Sequence, residues 1–196
     1  MQNSTVNQHH LETRDSQINN FKIFKFFNHS IFKLILMNLL KKITKPILIP
    51  CWWQDLLICI PRIVCGYLLA TEFGAAKFGL PWSPTDNNLG LFEVAFWFPK
   101  DVAAYGGIFA MFPSFFAWMG AFSEAVGGIL LLLGFQTRIA SFLVLCTMLV
   151  AIFMQQINEG MWNCLPAMGF LWTGIFFIIT GSGRFGIDYL LTKKLK

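Results

Sequence analysis

The sequence predicts an all-α protein. It is a four-helix transmembrane bundle with an N-terminal interfacial amphipathic helix and short outer-surface helices between spans one and two. Three observations predict it. First, 56% of the residues are hydrophobic and only 13% are charged, too little charge to cover a water-exposed domain of this length. Second, four apolar runs each reach about 17–23 residues, enough to cross a hydrocarbon layer of ~30 Å with some tilt. Third, the basic residues are distributed one-sidedly between the loops, as in multi-pass membrane proteins. No series of alternating ten-residue strands is present, which argues against a barrel.

Taken in order, residues 1–20 are polar, rich in Asn, Gln, Thr and Ser, and are expected to be disordered. Residues 21–50 form a basic amphipathic segment. Lys22, Lys25, His29 and Lys33 fall on one helical face, and Phe24, Phe27, Ile31 and Leu34 fall away from it. Together with Lys41, Lys42 and Lys45 this suits an interface with anionic headgroups. A signal sequence fits less well, because the run LILMNLL comes late and no small-residue cleavage site follows. Met37 offers an alternative start, which would leave residues 1–36 outside the protein. Pro46 and Pro50 end the segment.

Residues 51–196 form the four-span membrane domain. The spans are expected at Leu56–Phe78, Phe112–Gly134, Ile139–Ile157 and Leu165–Gly181, with Pro113 opening the second, where its missing N–H costs nothing. With both termini on the cytoplasmic side, Arg14, Lys22, Lys25, Lys33, Lys41, Lys42, Lys45, Arg62, Arg138, Arg184, Lys193, Lys194 and Lys196 fall on or near that side. Of the 15 basic residues, Lys77 and Lys100 alone lie toward the outside. The net charge of +5 therefore speaks for a membrane surface and not for nucleic acid. The outer loop carries GLFEVAFWFPKDVAAYGG, whose aromatics favour the headgroup zone and suggest one or two short helices capping the bundle.

Five cysteines form no CxxC, and no His follows His29. This excludes a dithiol motif, zinc spacing and the usual haem ligand, and no metal site is expected. Met111, Met119, Met154 and Met161 lie toward the outer half without MxM or MxxM spacing, so they read as packing residues.

Three ionisable residues lie inside the predicted spans, Arg62, Glu72 and Glu124, and Lys77 lies at the outer end of the first. Each is costly in hydrocarbon and needs a partner or water. At about 1.5 Å per residue, Arg62 sits about 9 Å deep from the cytoplasmic end, Glu124 about 15 Å and Glu72 about 24 Å. The arithmetic pairs Arg62 with Glu124 across two adjacent antiparallel helices. That pair either fixes helix register or carries a proton beside a redox substrate. Glu72, Lys77, Gln155 and Gln156 form a candidate substrate-binding set toward the outer end, although Lys77 is expected to snorkel outward. Gly120, Gly127 and Gly128 share a side of the second span with Glu124, and small residues there let another backbone approach. Arg138 is expected to cap a short cytoplasmic turn and meet phosphate headgroups.

The stretches RIVCGYLLATEFGAAKFG (Arg62–Gly79) and SEAVGGILLLLGFQTRIAS (Ser123–Ser141) together resemble the DoxX-like family of four-helix bacterial membrane proteins. The matched positions are Arg62, Gly74, Lys77, Glu124, Gly128, Gly134 and Arg138, and the resemblance runs over roughly residues 56–190. It implies an inner-membrane protein with a link to quinone-coupled oxidoreductases. Glu72 and the long aromatic loop depart from the pattern. The expected role is the small membrane subunit or accessory of a quinone-linked oxidoreductase system, with an apolar groove between spans one and two. Quinone would be the redox-active ligand, and a soluble or membrane partner would supply electrons. The competing role is a non-enzymatic scaffold or a carrier of a small molecule or copper. Whether the chain is catalytic, and how many copies assemble, stays open at this level.

Overall fold

The structure, a computed structural model, describes residues 31–84, 89–157 and 160–194. Compactness divides the chain into a unit ending at Lys42 and a unit from Ile43 to Lys196. Residues 31–44 are helical (α1), and residues 31–42 are exposed throughout. The polar tail 1–20 and the basic positions Lys22, Lys25 and His29 lie outside the described residues.

The second unit is all-α and has four membrane-spanning helices: α2 (Trp52–Phe73), α5 (Pro113–Leu133), α6 (Thr137–Gln156) and α7 (Met161–Thr180). Two short helices, α3 (Phe98–Ala104) and α4 (Gly107–Met111), separate α2 from α5, and α8 (Ile187–Lys194) follows α7. The spans carry large exposed apolar side chains, among them Ile60, Ile63, Phe115, Phe142, Leu149, Phe153, Leu165 and Trp172. A surface of that kind is stable against acyl chains and not against water. Four threonine hydroxyls on the spans are satisfied locally: Thr71, Thr147, Thr173 and Thr180 each donate to the carbonyl four residues earlier, which removes their need for water.

The packing order follows from small residues. A Cβ on Gly66 of α2 would meet the Leu132 N and Gly128 O of α5 at 2.6 and 2.7 Å, and one on Gly128 would meet the Ala70 N at 2.7 Å. The two backbones therefore touch, as the small residues of the second span predict. Gly74 does the same against Ala125. Gly127 faces Val144 of α6, and Gly120 faces Phe98 and Thr147, so these two serve other neighbours than the first span. The main core joins Leu69 and Leu131 to Val144, Met148 and Ile152 of α6 and to Phe170 of α7.

The first span ends five residues earlier than the apolar run suggests. Its last turn, Leu69–Phe73, is π-helical, and the Gly74 N–H donates to Leu69 O at 2.7 Å. The chain then turns over residues 74–77. Phe78 forms an isolated antiparallel bridge with Val94, and Ala95 N–H donates to Lys77 O at 2.9 Å. Phe78 is fully buried against Phe92, Trp118 and Phe122. This aromatic knot pins the residue before it, Lys77, beside the middle of α5.

At the other end of the bundle, α5 closes on Gly134, which is left-handed (φ 66, ψ 38), the usual solution for a helix C-terminus. Gln136 is also left-handed, at φ 47, which costs a non-glycine residue about 1–2 kcal/mol. Asp188 of α8 offsets that cost. Its Oδ1 accepts the Gln136 N–H at 2.8 Å and its Oδ2 the Thr137 N–H at 2.9 Å. The first turn of α6 is thus capped by a carboxylate from a different helix.

Candidate functional site

The predicted Arg62–Glu124 pair does not form. Arg62 is 1% exposed, yet its partners are carbonyls. Nη1 donates to Leu131 O at 2.7 Å and Leu132 O at 3.3 Å, and Nη2 donates to Phe185 O at 2.8 Å and meets Cys59 Sγ at 3.2 Å. The reason is general. The last four carbonyls of a helix lack intrahelical donors and carry the negative end of the dipole. At the foot of α5 they attract the guanidinium more closely than a carboxylate two turns further along. A side chain on Gly134 would overlap the Arg62 guanidinium, so that glycine serves both the turn and the arginine.

Glu124 instead meets Lys77, whose Nζ lies 2.6 Å from Oε2. The snorkelling expected of Lys77 is corrected by the early end of α2, which turns the lysine back over the bundle. The side chains are 22% and 5% exposed, so the pair is largely removed from solvent. Lys77 Nζ also lies 5.2 Å from the centre of the Phe98 ring, a cation–π contact that favours the ammonium in an apolar setting.

The pair lies on the wall of a cavity of about 280 Å3, close to the lower bound for small-molecule pockets. The cavity is bounded by α3, α4, α5 and α6, not by spans one and two as expected. Phe98, Phe109, Phe115 and Phe116 supply aromatic walls. Its lining residues on α6, from Leu143 to Gln155, span about 18 Å along the bundle. Of its polar groups, Lys77, Ser123 and Glu124 lie toward one end and Tyr105 and Gln155 toward the other, and Thr147 lies on the α6 wall. Tyr105 OH donates to Gln155 Oε1 at 3.3 Å.

Of the candidate substrate-binding set, Lys77 and Gln155 therefore line one cavity. Gln156 does not; its Oε1 is buried without a hydrogen-bond partner. Glu72 is exposed, and neither Lys77 nor Gln155 is its partner, because the π-helical turn rotates it away from the interior. Arg138 donates through Nη2 to Ile179 O at 3.1 Å, tying the α5–α6 turn to the end of α7. Among the described residues, no group of three His, Cys, Asp or Glu comes together.

Sequence reasoning missed three residues. Asp55 is 2% exposed and pairs with Arg184, Nε to Oδ2, at 2.7 Å. Arg184 Nη2 also donates to Ile49 O at 2.7 Å. An acid in the first turn of an apolar helix was the available signal for Asp55. Asp188 and Ser123 gave none, because an acid and a hydroxyl at these positions look like ordinary helix residues.

The DoxX family model matches residues 86–156. That stretch holds α3 to α6, and so most of the cavity wall and Glu124. It leaves out Arg62 and Lys77, so the resemblance of the first span lies beyond it. No curated protein and no solved structure gives a significant match. The chain is a multi-pass membrane protein, DoxX-like over residues 86–156.

Proposed function

We propose that the chain is a small membrane subunit or accessory of a quinone-linked oxidoreductase system and that its cavity takes the quinone. The observation that carries this reading is a largely buried ion pair, Lys77–Glu124, on the wall of a mainly aromatic and aliphatic cavity. A lipid quinone has the matching chemistry: a flat apolar ring, oxygens that exchange protons on reduction, and a long apolar tail. The four phenylalanines suit the ring. The Lys77 ammonium can donate a hydrogen bond to a ring oxygen, and a proton can shift between Nζ and Glu124 Oε2 across 2.6 Å as the ligand takes or returns one. Electrons would come from a soluble or membrane redox partner.

The proposed membrane is the cytoplasmic one, with both termini on the cytoplasmic face. Lys45, Arg138, Arg184, Lys193 and Lys194 belong to the end of the bundle where α2 begins and α7 ends, whereas Lys77 and Lys100 belong to the other; such asymmetry supports an orientation with the basic end inside. The exposed helical residues 31–42, which include Lys33, Lys41 and Lys42, suit a seat on anionic headgroups.

The test uses purified full-length protein in detergent. Binding of a short-tailed benzoquinone is measured on that protein, and reduction of the same quinone by electrons from the redox partner is measured on membranes carrying it, for the wild type and Glu124→Gln. Binding in both with turnover lost in the variant supports redox participation. Binding without any turnover in the wild type supports instead a non-enzymatic carrier of apolar molecules, which the same cavity would serve. No binding by the wild type rejects the quinone reading.

A further inference from the structure

Buried hydroxyls without hydrogen-bond partners are expensive, because the group has lost water and gained nothing. Among the described residues, three side-chain hydroxyls are in that position: Ser123, Thr137 and Ser141. One of the three, Ser123, lines the cavity. It is 2% exposed and adjoins Glu124 on α5.

Its lack of a partner stands out against the other helical hydroxyls. Thr71, Thr147, Thr173, Thr180 and Thr192 each donate to the carbonyl four residues back, at 2.7 to 3.1 Å. The same escape is chemically open to any serine on a helix. Ser123 does not take it, although Thr147 on the facing wall of the same cavity does. A hydroxyl left unpaired beside a charged pair, in a cavity with otherwise apolar walls nearby, is what a site holding a polar ligand atom looks like before that atom arrives.

We propose that Ser123 is a ligand-binding residue. Its hydroxyl hydrogen-bonds a ring oxygen of a quinone or quinol whose head enters the Lys77–Glu124 end of the cavity while its tail runs past the phenylalanines. This rests on the quinone reading and adds to it the orientation of the ligand and the residue that selects for an oxygen-bearing ring. The hydroxyl can donate to the carbonyl of the oxidised form and accept from the hydroxyl of the reduced form, so one residue serves both states. Oγ itself is covered in its present rotamer, and rotation about χ1 turns it between staggered positions without backbone movement. Lys77, a donor whose carboxylate partner is already in place, then meets the same oxygen from the other side. The span of its lining residues along α6, about 18 Å, exceeds one ring, which leaves room for the first part of a tail toward Tyr105 and Gln155.

The test compares the wild type with Ser123→Ala and Ser141→Ala, each as purified full-length protein in detergent. Two quantities are read: the Kd for a decyl-substituted benzoquinone and the melting temperature without ligand. Ser123→Ala is expected to weaken binding roughly 5–10-fold, the loss of one hydrogen bond. Its ligand-free melting temperature should equal or exceed that of the wild type, because an unpaired buried hydroxyl has been removed. Ser141→Ala, buried but away from the cavity, should leave Kd unchanged. Wild-type binding with an unaltered Kd in Ser123→Ala overturns the assignment while leaving the quinone reading intact. A lower ligand-free melting temperature in Ser123→Ala also overturns it, by showing that the hydroxyl is a structural bond. Failure of the wild type to bind the quinone rejects the reading and the assignment together.

Discussion

Lys77 and Glu124, 47 positions apart in sequence, meet at 2.6 Å inside the bundle, and Arg62 belongs to neither of them. Removing Lys77 strands a carboxylate that is 5% exposed. Lys77→Met is therefore expected to destabilise the protein by about 3 kcal/mol, the low end for breaking a buried pair because the lysine retains some exposure. Lys77→Met with Glu124→Leu should recover most of that loss. Combined with Glu124→Leu, Arg62→Lys should be additive within about 0.5 kcal/mol. Thermal unfolding of the single and double variants in detergent measures both couplings. Strong coupling between Arg62 and Glu124 would restore the pairing that depth arithmetic suggests.

The contact between α2 and α5 has no room to give. A Cβ on Gly128 would approach Ala70 N at 2.7 Å and Gly66 O at 2.9 Å, all backbone atoms. Gly128→Val is expected to cost about 3 kcal/mol or to prevent accumulation of the protein. Gly169, whose Cβ would meet nothing within 4 Å, provides the control: Gly169→Ala should be tolerated. Membrane-fraction yield and melting temperature report the difference.

Asp188 holds two N–H groups of the α5–α6 turn. Asp188→Ala should lower stability by about 1–2 kcal/mol, as loss of a capping carboxylate does. Hydrogen exchange should speed up at Gln136 and Thr137 before the rest of α6. Unchanged exchange there would remove Asp188 from its capping role.

Cysteine chemistry maps the cavity. Cys146 lines it and is exposed, as is Cys51 near the start of α2, whereas Cys59 and Cys164 are buried. In detergent, N-ethylmaleimide should label Cys146 and Cys51 faster than Cys59 and Cys164. Saturating benzoquinone ligand should slow labelling of Cys146 and leave Cys51 unchanged. Site-resolved mass spectrometry reads the outcome, and equal protection of both would place the ligand elsewhere.

The four spans were legible because a hydrocarbon slab reads a sequence crudely: length and apolarity suffice, and Gly66 and Gly128 announce a close helix contact. The ion pair was not legible, for two reasons. Depth arithmetic needs a straight helix to Phe78, whereas the π-helical turn at Leu69–Phe73 and the turn after it fold Lys77 inward. It also treats side chains as each other's only partners, whereas Arg62 found the carbonyls of Leu131 and Leu132 at the C-terminal end of α5. Gly134, a helix-stopping residue directly after a leucine run, was the sign that such carbonyls would be exposed near Arg62. Ser123 was invisible in sequence because its meaning lies in a bond it does not make.

The order of synthesis gives the grip of Phe185 and Asp188 a further meaning. Phe185 O completes the Arg62 fork, and Asp188 closes the first turn of α6. Both are translated after every span has been made. A ribosome that has delivered all four spans has still left one guanidinium hydrogen bond and two amides waiting, so this end of the molecule locks last. A nascent chain arrested before position 185 is therefore a membrane-inserted but unfastened species, the form that a quality-control protease would meet.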